Sequence, residues 1–167
     1  VDDYQTWEGD WELWQGIPVA MSPSPFGRHQ KIAARLVTLL SNAIEESRCD
    51  AVVLAEIDWI ISNHTVVRPD VVVLCGDAPE RHVESAPAIV AEILSDSSQH
   101  RDREAKFELY QENAAGFYLI LDPDQSALQA FELGVDGRYQ PMKTAETLEL
   151  GICDHCKLEM NITKLFA

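Results

Sequence analysis

Positive charge is scarce in this 167-residue sequence: 13 Lys and Arg stand against 28 Asp and Glu, a net charge of −15. That balance disfavours non-specific attraction to phosphate backbones or anionic membranes, and weighs against a constitutive nucleic-acid binder. The same acidity helps a site concentrate divalent cations, so a metal enzyme with locally placed basic residues stays open. Long apolar runs are missing too, none approaching the ~18 residues of a membrane span. The opening "VDDYQTWEGD" has neither the basic segment nor the apolar core of a signal peptide, so a soluble, cytoplasmic protein is expected. Cysteine is limited to four residues, which without a secretion signal are expected to be reduced, not bridged. Cys153 and Cys156 in "CDHC" have the spacing of half a zinc site, but Cys49 and Cys75 stand alone in the sequence. Structural zinc is therefore the weaker reading.

What is present suits one domain. Hydrophobic residues at 46% and charged residues at 25% are ordinary globular values, and a chain of this length buries about two-thirds of its unfolded surface. "WELWQGIPVAM" reads as a hairpin turning at Gln15-Gly16, with Trp11, Leu13, Trp14, Ile17 and Val19 available for burial. From Arg28 to Ser47, Ile32, Leu36, Leu39, Leu40, Ala43 and Ile44 recur at helical spacing, an amphipathic helix of about five turns. "AVVLAEIDWIIS" reads as one strand, "NHT" as a turn and "VRPDVVVL" as its partner, with Pro69 confined to a strand start or edge. "AIVAEILS" is the next strand, and a helix from Arg101 to Ala114 ends before Gly116. "FYLILD", "ALQAFEL" and "RYQPM" are strands separated by turn signals, and "NITKLF" is a short helical turn. No repeat or linker interrupts the pattern, which predicts a single α+β unit over residues 1–167.

Two acids sit where acids are expensive. Asp70 opens "DVVVL" and Glu92 lies inside "AIVAEILS", both apolar strands. An ionised carboxylate buried without a partner costs several kcal/mol, so each needs water, a cation or a donor. If the strands pair, both side chains point to one face and offer hard oxygen ligands to Mg2+ or Mn2+, which takes one or two carboxylates plus waters and phosphates. Lys106, fourteen residues after Glu92 on the following helix, adds an ammonium able to position or help deprotonate the attacking water and to stabilise an oxyanion. Two acids, a lysine and a divalent cation suffice to hydrolyse a phosphodiester backbone.

"MSPSPFGRHQKIAARL", "RPDVVVL" and "PAIVAEILSDSSQHRDREAKFELYQENAAGFYLILDP" resemble the Uma2 family, widespread in bacteria and placed in the restriction-endonuclease-like superfamily marked by PD-(D/E)XK. The resemblance runs from Trp11 to Phe166. It implies a mixed central β-sheet with an N-terminal hairpin and two main helices, metal-dependent cleavage of DNA, and Asp70 and Glu92 as metal ligands; charge and the lack of a spanning run, not the resemblance, predict no membrane partner. The superfamily's lysine two residues after the second acid falls on Leu94 here, and the family resemblance moves that role to Lys106 in "REAKFELY". His29 in "GRHQK" resembles a histidine found at that place in the family, facing metal or phosphate. Nucleases that cut both strands often dimerise, so a homodimer is expected.

Plainer readings stand beside each residue. Asp70 also suits a turn cap after Arg68, Glu92 a structural ion pair, and Lys106 an exposed helix pair with Asp102. His29 also suits a helix-start cap, and Tyr110 reads as core or cleft wall. Asp58 is a candidate for the same face, although strand alternation does not separate it from Glu56. Ser95 is a candidate hydrogen-bonding or loop-capping residue. Arg101 and Arg103 are candidates for phosphate contacts. The alternative to a nuclease is a catalytically silent binding or assembly module of the same fold.

Overall fold

The structure is a computed structural model, and it describes residues 1–21, 27–95 and 101–167, apart from the side chains of residues 101–103. Strands β1 (Trp11–Trp14) and β2 (Ile17–Ala20) form the expected hairpin, Trp14 opposite Ile17. Its burial departs from expectation. Ile17 is exposed at the turn, whereas Glu12 is buried with Leu13. Helix α1 (Gly27–Ser47) buries Ile32, Leu36, Leu40, Ala43 and Ile44, one stripe at helical spacing. Leu36 and Leu40 are fully buried, each contributing ~1.5–3 kcal/mol of apolar transfer free energy.

The expected long strand is two strands. β3 (Ala51–Ala55) ends at Glu56, whose backbone turns left-handed at φ 51°, and β4 (Trp59–Ser62) resumes after the bend. Its partner is broken at the matching place, into β5 (Thr65–Val67) and β6 (Val71–Cys75), and the Glu56 N–H donates to the Asp70 carbonyl at 3.1 Å across the break. Arg68, Pro69 and Asp70 lie between β5 and β6, where Pro69 removes a donor that a continuous ladder would need. The break sends β4 and β5 into a four-stranded sheet with the hairpin, in the order β2-β1-β5-β4.

β3 and β6 enter a six-stranded sheet with β7 (Ile89–Ile93), β8 (Phe117–Asp122), β9 (Ala127–Leu133) and β10 (Tyr139–Pro141), in the order β10-β9-β8-β7-β6-β3. Only β7 and β8 are parallel in it. A parallel pair needs a crossover, supplied by α2 (Arg101–Glu112). Gly116 follows that helix for a packing reason: a β-carbon there would stand 2.8 Å from the Ala88 carbonyl oxygen.

Strands β11 (Thr147–Ile152) and β12 (Cys156–Asn161) form a separate hairpin that sequence reading left unassigned, although "TLELGI" alternates apolar and polar residues. The short α3 (Thr163–Phe166) closes the chain as expected. The hairpin's turn corrects the cysteine expectation. Cys49 is bonded to Cys156 and Cys75 to Cys153, with Cα–Cα separations of 5.7 and 5.5 Å, so CDHC joins β11–β12 to the end of α1 and the end of β6. Spacing along the chain hid this, because both partners come from distant elements.

Candidate active site

The register of β6 and β7 answers what two acids do in apolar strands. Val71 lies opposite Ala91 and Val72 opposite Val90; one step further along the same antiparallel register, Asp70 faces Glu92. Side chains alternate across a strand, so both carboxylates share the sheet face of Val72 and Val90. That face packs under α2. Lys106 and Tyr110, one helical turn apart, reach down to the same oxygen: Lys106 Nζ donates to Glu92 Oε1 at 2.9 Å and the Tyr110 hydroxyl donates to it at 2.5 Å. Lys106 therefore points inward, as a site residue must, instead of pairing along the surface. The Asp102 side chain, its plainer partner, lies outside the described residues.

Asp70 is held at the strand start. Its Oδ2 accepts the Ile93 N–H at 2.6 Å, and its Oδ1 lies 3.3 Å from His29 Nε2. His29 comes from the first turn of α1 and is buried, and its Nδ1 has no hydrogen-bond partner among the described residues. Burial by itself would lower its pKa; the hydrogen bond and charge of Asp70, with Glu92 and Glu56, outweigh that and raise it above the usual value.

Sequence reasoning missed Glu12. It is buried, and its Oε1 lies 3.2 Å from Lys106 Nζ and accepts the Arg68 N–H at 2.9 Å, while Oε2 accepts the Trp14 indole N–H at 2.9 Å. The signal was an acid inside the aromatic strand "WELW". Tyr110, read as core or wall, is both fully buried and bonded to Glu92. Asp58 belongs elsewhere. It accepts Arg68 Nε at 2.7 Å and the Tyr4 hydroxyl at 3.1 Å, in a cavity of about 250 Å3 beside Trp7 and Trp11, and Asp10 takes Arg68 Nη1 at 2.8 Å. Glu56, not Asp58, lends its charge to His29. The side chains of Arg101 and Arg103 lie outside the described residues.

The electrostatics follow from three carboxylates around one ammonium. Burial penalises the Lys106 cation, but Glu92 and Glu12 more than compensate and hold it protonated far above the usual lysine range. Burial is also the largest influence on Glu92 and pushes it up to about 7, with Asp70 and Glu12 adding to the rise and Lys106 and Tyr110 opposing it. Glu92 is thus partly protonated near neutral pH, and a cation beside it would favour its ionised form.

A profile of the family described as "Uma2: Putative restriction endonuclease" matches residues 1–161. The chain belongs to the Uma2 family. A Synechocystis sp. protein described as "Uncharacterized protein slr1290" is 27% identical over 135 residues, 74% of this chain and 70% of its own length. The crystal structure of "a putative nuclease belonging to DUF820" from Anabaena variabilis superposes with a TM-score of 0.73 at 16% identity, covering 99% of this chain and 96% of that one. A likeness at that identity is one of fold, and the fold is the expected α+β, restriction-endonuclease-like one. The described residues contain no helix long and apolar enough to cross a membrane.

Uma2 membership places a nuclease family's name on a chain whose acids face each other across two strands. The donor set fits Mg2+ or Mn2+. Asp70 and Glu92 supply hard oxygens, and a divalent cation would offset both the burial that raises Glu92 and the neighbouring charges of Asp70 and Glu12 that add to the rise. Among the described residues no group of three or more His, Cys, Asp and Glu side chains is arranged to hold a metal. The protein's share would then be two carboxylates, with water and substrate phosphate completing the coordination, as is common for Mg2+.

Proposed function

We propose that this Uma2 protein is a metal-dependent nuclease that hydrolyses DNA phosphodiester bonds, with Asp70 and Glu92 holding Mg2+ or Mn2+. The observation that carries the reading is the Asp70–Glu92 juxtaposition with the Lys106 ammonium 2.9 Å from Glu92. When bound, the ion supplies Lewis acidity, lowering the pKa of a water and balancing phosphate charge. The chain's own residues do the rest. Water oxygen attacks phosphorus as its proton passes to solvent, the bond to the leaving oxygen breaks and that oxygen takes a proton from solvent, and Lys106 meets the charge that develops on the phosphoryl oxygens. Because its neighbours keep Lys106 protonated, its part is to orient the water and stabilise charge, not to remove a proton. His29 holds Asp70 through Nε2. A homodimer would present two such sites to the two strands of a duplex.

The net charge of −15 favours the second reading, a silent binding or assembly module. Cleavage of single- and double-stranded DNA at low salt, with Mg2+ or Mn2+, separates the two. Asp70→Ala and Glu92→Ala should lose metal affinity and cleavage together. Lys106→Ala should keep Mn2+ binding while its rate falls about 10²–10³-fold, the usual loss for one stabilising donor. Wild-type protein that binds Mn2+ and cuts nothing would leave the module.

A further inference from the structure

Glu12 comes from the N-terminal hairpin, on a different sheet from Glu92, yet its carboxylate is buried against the same ammonium. Its two oxygens accept hydrogen bonds from the Arg68 main chain, between β5 and β6, and from the Trp14 indole of β1, and Oε1 also forms an ion pair with Lys106 of α2. A carboxylate fixed by a backbone N–H and an indole has little freedom to turn. Glu92 is placed differently. Among the described residues its hydrogen bonds fall on Oε1 and come from α2 side chains. A cation drawn to Glu92 would compete with Lys106 for that charge, and an ammonium released by Glu92 with no other anion beside it would be repelled from the metal. Glu12 supplies a second acceptor at 3.2 Å that the metal does not compete for.

We propose that Glu12 is a positioning residue: it anchors the Lys106 ammonium beside the metal after Glu92 has turned to the ion, so that the hairpin completes a site otherwise built on the six-stranded sheet. The proposal rests on the nuclease reading for its kinetic consequence and on the Glu12–Lys106 contact for its structural one, and the two are tested separately.

The kinetic arm compares wild type, Glu12→Gln, Lys106→Met and the double variant for DNA cleavage under saturating Mn2+, with Mn2+ affinity measured in parallel by electron paramagnetic resonance. Glu12→Gln should lower kcat about 10–100-fold, as loss of an outer-shell partner does, with Mn2+ affinity unchanged. In the Lys106→Met background the same change should have no further effect, because the anchor has nothing left to hold. Additive losses, or loss of Mn2+ affinity in Glu12→Gln, would overturn the proposal. The second arm needs no activity: the 15N-labelled Lys106 ammonium should give a slowly exchanging NMR signal in Mn2+-free protein with Mg2+ added. That signal should be lost in Glu12→Gln; its persistence there would overturn the anchor even if wild type cleaved nothing, whereas its loss in an inactive protein would overturn only the nuclease reading. If Glu12→Gln does not fold, Trp14→Phe removes one donor from the carboxylate and should give a smaller loss of kcat at unchanged Mn2+ affinity. An unchanged kcat there would equally overturn the anchor.

Discussion

The two faces of the six-stranded sheet are built from alternate residues of the same strands and have opposite characters. The face carrying Val71, Val73, Ile89, Ala91, Leu119 and Leu121 packs under α1 and is aliphatic but for Phe117 at the start of β8. The other carries Val72, Val90, Tyr118 and Ile120, packs under α2, and is crowded with rings: Trp59 stacks on Tyr110 at 5.9 Å, and Phe107 meets Tyr118, Phe131 and Tyr139. Asp70 and Glu92 belong to that second face. Aliphatic packing offers nothing to a charge, whereas a face with hydroxyls and an ammonium at its edge can hold carboxylates. The strand period of two thus separates cohesion from chemistry within one sheet.

The sharpest way to break the comparison is to truncate the cohesive face. Leu119 is fully buried in the middle of β8, between β7 and β9. Leu119→Ala should lower unfolding free energy by about 2–5 kcal/mol through lost transfer and the cavity left behind, while the folded protein keeps its Mn2+ affinity. Denaturant unfolding beside Mn2+ titration measures both. A loss of metal affinity without loss of stability would mean that the faces are not separate.

Next in size is the pH response of the chemical face. Glu92 must be ionised to bind a cation, and in the folded protein it titrates at about 7 instead of the usual 4.5. Protons therefore compete with metal: above pH 7 Mn2+ affinity should be flat, and below it affinity should fall, approaching tenfold per unit. The stability sign runs the other way. The folded state holds this proton more tightly than the unfolded chain between about 4.5 and 7, so the contribution of Glu92 to stability without metal diminishes as pH rises through that window. Calorimetric Mn2+ titrations from pH 5.5 to 8.5 give the profile, and a midpoint near 4.5 would show that burial does not govern Glu92.

Much of this was legible in the sequence for a physical reason. α1 and the apolar strands announce themselves by period, α2 by the Gly116 that ends it, and acids in apolar runs by cost, which is how Asp70 and Glu92 were found; Lys106 was found by its place on the following helix and by the family resemblance. Other features depend on contacts between distant elements. Glu12 gains its meaning only when the hairpin docks over α2, and the two cysteine pairs only when β11–β12 lies across α1 and β6. The break at Glu56 was hidden because the residues on both sides of it have strand character; a left-handed φ at one non-glycine residue leaves no mark on composition.

The smallest expected effect tests the seam between the two characters of the α2 face. Tyr110 is a ring of the aromatic core and a donor to the carboxylate at once: its ring stacks on Trp59 and its hydroxyl bonds Glu92. Tyr110→Phe keeps the ring and deletes the donor, so packing should survive, and the cost should be about that of one hydrogen bond, roughly 0.5–1.5 kcal/mol. The hydroxyl also favours the ionised form of Glu92, opposing the rise that burial causes. Without it Glu92 holds its proton to higher pH, and the midpoint of the Mn2+-affinity profile should move upward from about 7. Lys106 still reaches Glu92 and Glu12, so affinity well above that midpoint should return to the wild-type level. A variant destabilised far beyond one hydrogen bond, with an unmoved midpoint, would make Tyr110 purely a core residue.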